Sequence, residues 1–257
     1  MLAIISDIHA NMEALQAVLD DIAARDVESI VCLGDVIGYG PEPCECLELI
    51  RKHASVTLLG NHDFAVLYEP ENFNVGAEAA AFWTRQQIET ESSDANRSAW
   101  WEFLGALEMR HVKGNGQADA SPTVFVHGSP RRPVNEYIFP DDVYNNASKL
   151  QGLFDRFDHL CFVGHTHVPG VFVETPDFYT PEELEYVYEI DPNHKALINV
   201  GSVGQPRDRD NRASYVLYEP DAVRFIRVPY DYEAVIEKVL PIPELDDYLG
   251  FRLREGR

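Results

Sequence analysis

Five short apolar runs in this 257-residue chain stop on the same kind of residue, and that regularity limits the available folds more than any other feature. Leu2-Ala-Ile-Ile-Ser is followed by Asp7-Ile-His9, and Ile30-Val-Cys-Leu by Gly34-Asp35-Val-Ile-Gly38. Val56-Thr-Leu-Leu leads into Gly60-Asn61-His62-Asp63, Val124-Phe-Val into His127-Gly128, and Leu160-Cys-Phe-Val into Gly164-His165-Thr-His167. Runs of three to five mostly apolar residues are too short for helices and fit strands buried on both faces. Between the first three runs, Met12, Leu15, Val18, Leu19 and Ile22 recur at helical spacing behind a capping Asn11, and 42–53 reads as a second helix. The β-α-β-α-β order predicts an α/β fold whose parallel sheet has right-handed crossovers. In such sheets the carboxyl ends of the strands line the ligand crevice, so the five polar junctions are expected to converge on one site.

The rest of the chain is read more coarsely. Residues from about 64 to 110 look helical around Ala77–Ala81, Trp83, Ile88, Trp100 and Leu104, and are expected to form an insertion beside the sheet, with the adjacent tryptophans as packing residues. A helix is expected over 141–154, strands at 123–126 and 159–163, and a further sheet of antiparallel neighbours from 170–174, 196–200, 214–218 and 223–228. Residues 175–194 read as an inserted loop or hairpin, 232–240 as a last helix, and the Pro-punctuated stretch from about 241 to 257 as a surface tail on a single domain spanning 1–257. With 45% hydrophobic residues the chain can bury a sizeable core.

Charge narrows the partners. Against 43 acidic residues stand 21 basic ones, a net charge of −22, which opposes extended nucleic acid and anionic membrane surfaces alike. Met1 is followed at position 7 by an Asp, before a signal-peptide core could form, and the four cysteines match neither a redox nor a zinc motif; a reduced, cytoplasmic protein is expected.

Five of the nine histidines lie in the junctions, with Asp7, Asp35 and Asn61. Imidazole and carboxylate donors without thiolate suit Mn, Fe, Zn, Co or Ni.

The ordered blocks D-x-H, G-D-x-x-G, G-N-H-D, H-G and G-H-T-H, spanning residues 7 to 167, resemble the calcineurin-like metallophosphoesterase superfamily. Ser6–Asn11, Gly38–Pro41 and Asn199–Val203 are similar to its bacterial and archaeal phosphodiesterase-type members. The resemblance implies a four-layer α/β/β/α sandwich of two mixed sheets, carrying two divalent metal ions, with Mn favoured. By motif position Asp7, His9 and His167 would hold the first ion, Asn61, His127 and His165 the second, and Asp35 both. Phosphoprotein phosphatases and symmetrical dinucleoside tetraphosphatases continue the second block as G-D-x-x-D-R-G; here Gly38-Tyr39-Gly40 stands there, with neither that Asp nor that Arg.

Two metals about 3.5–4 Å apart can share a hydroxide and stabilise an in-line displacement at phosphorus. His62, not needed as a ligand, suits a general acid for the leaving oxygen, with Asp63 expected to orient its ring and favour the imidazolium. Arg207 is a substrate-binding candidate, Arg131 and Arg132 weaker ones, and Tyr39 is expected to pack in its loop. The expected function is hydrolysis of a small phosphate ester, diester before monoester. Phosphomonoesterase or phosphoprotein phosphatase activity and a non-catalytic scaffold of the same fold are the alternatives, and the intact ligand set together with His62 favours the enzyme.

Overall fold

The computed structural model describes residues 1–114 and 122–257. Leu2–Ile5 (β1) pairs in parallel with Ser29–Cys32 (β2), and β2 with the two-residue Val56–Thr57 (β3). Met12–Ala23 (α1) and Pro43–His53 (α2) form the crossovers. Asn11 caps α1 by accepting the Ala14 N–H at 3.0 Å, and Pro43 opens α2, where its missing N–H costs nothing.

Asn61–Leu67 (α3), Val75–Glu89 (α4) and Asp94–Gly105 (α5) make up the helical insertion. It packs through Ile88, Trp100 and Leu104 into the core that also holds Leu47 and Ile50 of α2. Trp100 is buried there, whereas Trp101 is only half-buried.

Arg110–Lys113 (β4), Thr123–Val126 (β5), Asp142–Asn145 (α6), Ala147–Phe154 (α7), Leu160–Val163 (β6), Gly170–Val173 (β7), Asp177–Tyr179 (β8), Val187–Glu189 (β9), Ala196–Asn199 (β10), Ala213–Tyr218 (β11), Ala222–Val228 (β12), Tyr232–Val239 (α8) and Asp247–Phe251 (α9) follow. Two mixed six-stranded sheets result, ordered β3-β2-β1-β11-β12-β9 and β4-β5-β6-β10-β7-β8.

Period-two alternation sorts each strand between two cores. Ala3, Ile5, Cys32 and Tyr215 face the α1/α2 layer, while Leu2, Ile4, Val31 and Val216 face Phe125, Phe162 and Ile198 of the opposite sheet. Val124, Val126, Cys161 and Leu197 point the other way, onto Leu150, Leu153 and Phe154 of α7. This is the α/β/β/α sandwich, and burial on both faces explains why its strands read as continuous apolar runs.

Four expectations are corrected. The late strands do not form one sheet: β7 and β10 join the second, whereas β11 and β12 join the first through β1. Residues 175–194 are not a hairpin, because β8 pairs with β7 and β9 with β12, so this stretch passes from one sheet edge to the other. The helix over 141–154 divides at Asn146, whose backbone (φ −151°, ψ 50°) is not helical. The final residues are no surface tail. Leu245, Leu249 and Leu253 are buried against Val235, Val239, Ala80 and Trp83, which ties α8, α9 and the closing 3-10 turn Arg252–Glu255 to α4. Among the described residues no helix is long and apolar enough to cross a membrane.

Candidate metal centre

All five junctions meet where the two sheets' strand ends face each other. Asp7, His9, Asp35, Asn61, His127, His165 and His167 are all buried there. Asp7, His9, Asp35, His165 and His167 have φ between 50° and 65°, the left-handed region. Non-glycine residues in such conformations cost about 1–3 kcal/mol each and persist only where their surroundings hold them. Here the holding bonds are visible. Asp7 and His9 donate their backbone N–H groups to the carbonyls of Gly34 and Asp35, both at 3.0 Å. The Asp7 carboxylate accepts the His165 N–H at 3.0 Å, joining the sheets. Gly164 allows that contact, since a Cβ on it would overlap Ser6 and Asp7 Oδ2.

Two groups of acceptor atoms converge. Around His167 Nε2 lie Asp7 Oδ1 at 3.1 Å and His9 Nε2 at 3.2 Å, with Asp35 Oδ2 3.7 Å from His9 Nε2. Around His127 Nε2 lie Asn61 Oδ1 and His165 Nδ1, both at 3.2 Å, and Asp35 Oδ2 at 3.3 Å. One imidazole N–H cannot satisfy three acceptors at once. Donor atoms about 2.0–2.2 Å from one ion stand about 3.0–3.4 Å apart, so the spacing and chemistry of both sets fit a cation, with Asp35 common to the two. His167 Nδ1 donates to the Gln205 carbonyl at 2.5 Å, which leaves Nε2 as a lone pair facing the cluster.

The charges fit as well. Burial pushes Asp7 and Asp35 up, but the imidazoles around them outweigh it and hold both below the usual carboxylate range. Burial holds His9, His165 and His167 low, His165 at about 3, so these rings are neutral. His127 is the exception: burial opposes its charge, yet Asp35 and Asp7 raise it to about 9.

In the metal-free chain, an imidazolium at His127 therefore stabilises the fold fully below pH 6.5 and loses that effect as pH rises through about 9. Asp63, raised to about 7 by burial and Asp35, acts in the same direction. Chelator-treated protein should melt at a lower temperature at pH 9 than at pH 6.5. A divalent ion takes over the positive charge between Asp7 and Asp35 and should remove most of that slope. Melting curves at the two pH values, with and without Mn, test this; equal slopes would refute it.

Asp63 does not orient the His62 ring. As the third residue of α3 its carboxylate turns back to the helix start, accepting N–H groups from Asp35 (2.7 Å), Val36 (3.0 Å), Ile37 (3.3 Å) and Gly60 (3.1 Å). It anchors the Asp35 loop instead. Nor is His62 favoured as imidazolium, because burial lowers it to about 4.

The aromatic surround was only partly visible in the sequence. Tyr39 lies 4.2 Å from the His62 ring, Phe73 4.6 Å from it on the insertion, and Tyr137 stacks on His165 at 4.0 Å. Tyr137 and Phe73 carry no motif that would single them out. Arg207 is half-buried beside the cluster, its Nη2 donating to Gln205 Oε1 at 2.7 Å. Arg131 pairs instead with Glu136, and Arg132 is exposed.

Comparison with known proteins agrees with this geometry. The chain is 38% identical to an uncharacterized protein of Methanocaldococcus jannaschii, over 100% of this chain and 98% of that protein. It is equally 38% identical to a metallophosphoesterase of Sphaerobacter thermophilus, whose crystal structure superposes with a TM-score of 0.80 over 100% of this chain and 98% of that one. A hypothetical protein of Pyrococcus horikoshii, 19% identical, shares the fold at a TM-score of 0.76 over 100% and 99% of the two chains. Residues 1–222 match the model of the calcineurin-like phosphoesterase superfamily domain, and to that superfamily the chain belongs.

Proposed function

We propose that the protein hydrolyses small phosphate esters, diesters in preference to monoesters, with two divalent metal ions of which Mn is favoured. The observation that carries this reading is the pair of convergent acceptor sets sharing Asp35. Asp7, His9, Asp35 and His167 would hold one ion, and Asp35, Asn61, His127 and His165 the other. When bound, such ions draw charge from a phosphoryl group and bring a water's pKa toward about 7.

The chain's own residues do the rest. Asp7 and Asp35 contribute two negative charges against four positive ones, leaving a centre that attracts an anion within a chain of net charge −22. Tyr39, Phe73 and Tyr137 pack their rings against His62 and His165 at the edge of the site. The second Asp and the phosphate-gripping Arg of the G-D-x-x-D-R-G block are absent from Gly34–Gly40, which weighs against a phosphoprotein phosphatase or a symmetrical dinucleoside tetraphosphatase. The acidic surface supports a small substrate rather than a nucleic acid or a membrane, and a cytoplasmic setting accords with the composition.

Metal analysis together with 4-nitrophenyl phosphate and bis(4-nitrophenyl) phosphate tests the reading. The diester should be cleaved faster, chelation should lower the rate at least about a hundredfold, and Mn should restore it. Two bound ions without activity on either ester would overturn it in favour of a scaffold; monoester preference would reverse the substrate order.

A further inference from the structure

Two exposed aromatic rings continue outward from a residue of the metal centre. Tyr137 stacks on His165, with ring centroids 4.0 Å apart and planes at 25°. Phe139 stacks in turn on Tyr137, at 5.4 Å and 3°. His165 belongs to the centre itself, its Nδ1 standing 3.2 Å from His127 Nε2, so this row of rings begins on the cluster. Yet Tyr137 and Phe139 are 43% and 48% exposed, whereas the stacked pair Phe125 and Phe162 is fully buried between the sheets. A single exposed aromatic residue calls for no explanation; two parallel rings joined to a buried polar centre do.

The surrounding chain holds both rings in place. After His127 the loop closes tightly, with the Gly128 N–H donating to the Pro133 carbonyl at 2.6 Å and the Ser129 N–H to that of Arg132 at 3.2 Å. A Cβ on Gly128 would overlap the Glu136 nitrogen and the Arg132 carbonyl, so the return of the chain toward His165 depends on that glycine. Ile138 is buried in the core of Leu150 and Phe154 on α7, while its neighbours on either side face outward. Lys149 Nζ donates to the Tyr137 carbonyl at 2.7 Å and to Asp142 Oδ2 at 2.6 Å, and the same oxygen accepts the Phe139 N–H at 2.8 Å. One mostly buried ion pair thus fixes the backbone at both aromatic residues, and a ligand meeting these rings has little ordering left to impose.

Exposed, pre-positioned rings offer a partner to another flat ring, and stacking of this kind is worth about tenfold to a hundredfold in affinity. Their position selects the partner. A small molecule lying on Tyr137 and Phe139 has its other end at the His/Asp cluster, where an anion is attracted. Taking that cluster as a phosphoesterase centre, we infer that Tyr137 and Phe139 form a stacking subsite for a flat aromatic part of the substrate, as in a nucleoside phosphate. Phe139, which lies outside the metal-facing set, is then a specificity-determining residue.

Matched ligands on the metal-loaded protein test this. By calorimetry, adenosine 5′-phosphate should bind at least about tenfold tighter than ribose 5-phosphate, which lacks the base. The methyl ester of adenosine 5′-phosphate should show the same advantage in kcat/KM over that of ribose 5-phosphate, and neither carries a second ring to compete for the subsite. Phe139→Leu, which keeps apolar bulk without a flat ring, and Phe139→Ala should each remove most of the ratio, whereas Phe139→Trp should keep or raise it. A disturbance passed through Tyr137 to His165 would weaken both members of a pair alike and leave the ratio standing. A wild type without the preference, or a ratio that survives Phe139→Leu and Phe139→Ala, would overturn the subsite. Ester hydrolysis without the preference keeps the phosphoesterase and discards the stacking site. A Phe139-dependent preference without hydrolysis of any ester does the reverse.

Discussion

Asp35→Asn is expected to lower kcat/KM for phosphate esters by about a thousandfold or more, equivalent to about 4 kcal/mol of transition-state stabilisation, and to reduce bound metal from two ions per chain to one or none. Asp35 Oδ2 is closer to His127 and His9, at 3.3 and 3.7 Å, than Asp7 Oδ1 is, at 4.0 and 3.9 Å, so it is the better placed of the two to serve both acceptor sets. Asp35 Oδ1 is engaged elsewhere, accepting the His62 N–H at 2.8 Å. An asparagine can keep that bond through its carbonyl oxygen. It then presents an NH2 group to His9 and His127, a donor where a lone pair and a negative charge are required. The lesion therefore falls on metal binding while the start of α3 stays capped. Metal counts by mass spectrometry, circular dichroism and steady-state kinetics on one preparation separate these effects. Two ions per chain with unchanged kcat/KM would refute the shared-ligand role.

The sheet strands and the site positions were legible for one physical reason. A strand covered on both faces must be apolar throughout, so its end is marked by the first polar residue, and topology sends those ends to a common edge. Val124–Val126 and Leu160–Val163 illustrate it, each fully buried and each followed within two positions by a cluster residue, His127 and His165. Arg110–Lys113 escaped because it is an edge strand with mostly exposed side chains and no apolar signal. The C-terminal segment carried a signal that its prolines obscured. Leu245, Leu249 and Leu253 recur at every fourth position, a spacing that reads as a buried helical face, and all three lie in the cluster against α4 although only Leu249 sits on α9.

Asp63 shows a different limit. Adjacency to His62 suggests contact, but consecutive helical side chains point apart, and the third helical position favours the helix's own N-terminal amides. Left-handed backbone at Asp7, His9 and Asp35 is equally invisible to residue type, since glycine is its usual sequence marker.

His62→Ala is expected to lower kcat by about a hundredfold to a thousandfold, within the range for losing a positioned proton donor, with metal content unchanged. The geometry fixes which proton matters. Nδ1 is buried near Gly38 with no hydrogen-bond partner, so an N–H there would forfeit a bond worth about 1–3 kcal/mol. Protonating both nitrogens incurs that loss, in accord with the lowering of the ring to about 4, and the neutral ring carries its hydrogen on Nε2. On this reading His62 would act at neutral pH as a neutral Nε2–H donor, held by Tyr39 and Phe73, whose rings lie 4.2 and 4.6 Å away. Two consequences distinguish this from an imidazolium acid. The kcat/KM profile should show no limb from His62 between pH 6 and 9, because a group lowered to about 4 is already deprotonated there. The loss in His62→Ala should be largest for alkyl leaving groups and smallest for 4-nitrophenol, which needs little help in departing. His62→Asn, which restores an N–H donor, should recover part of the rate. A deficit equal across leaving groups would place His62 in packing alone, and a limb near pH 7 that vanishes in His62→Ala would restore the imidazolium.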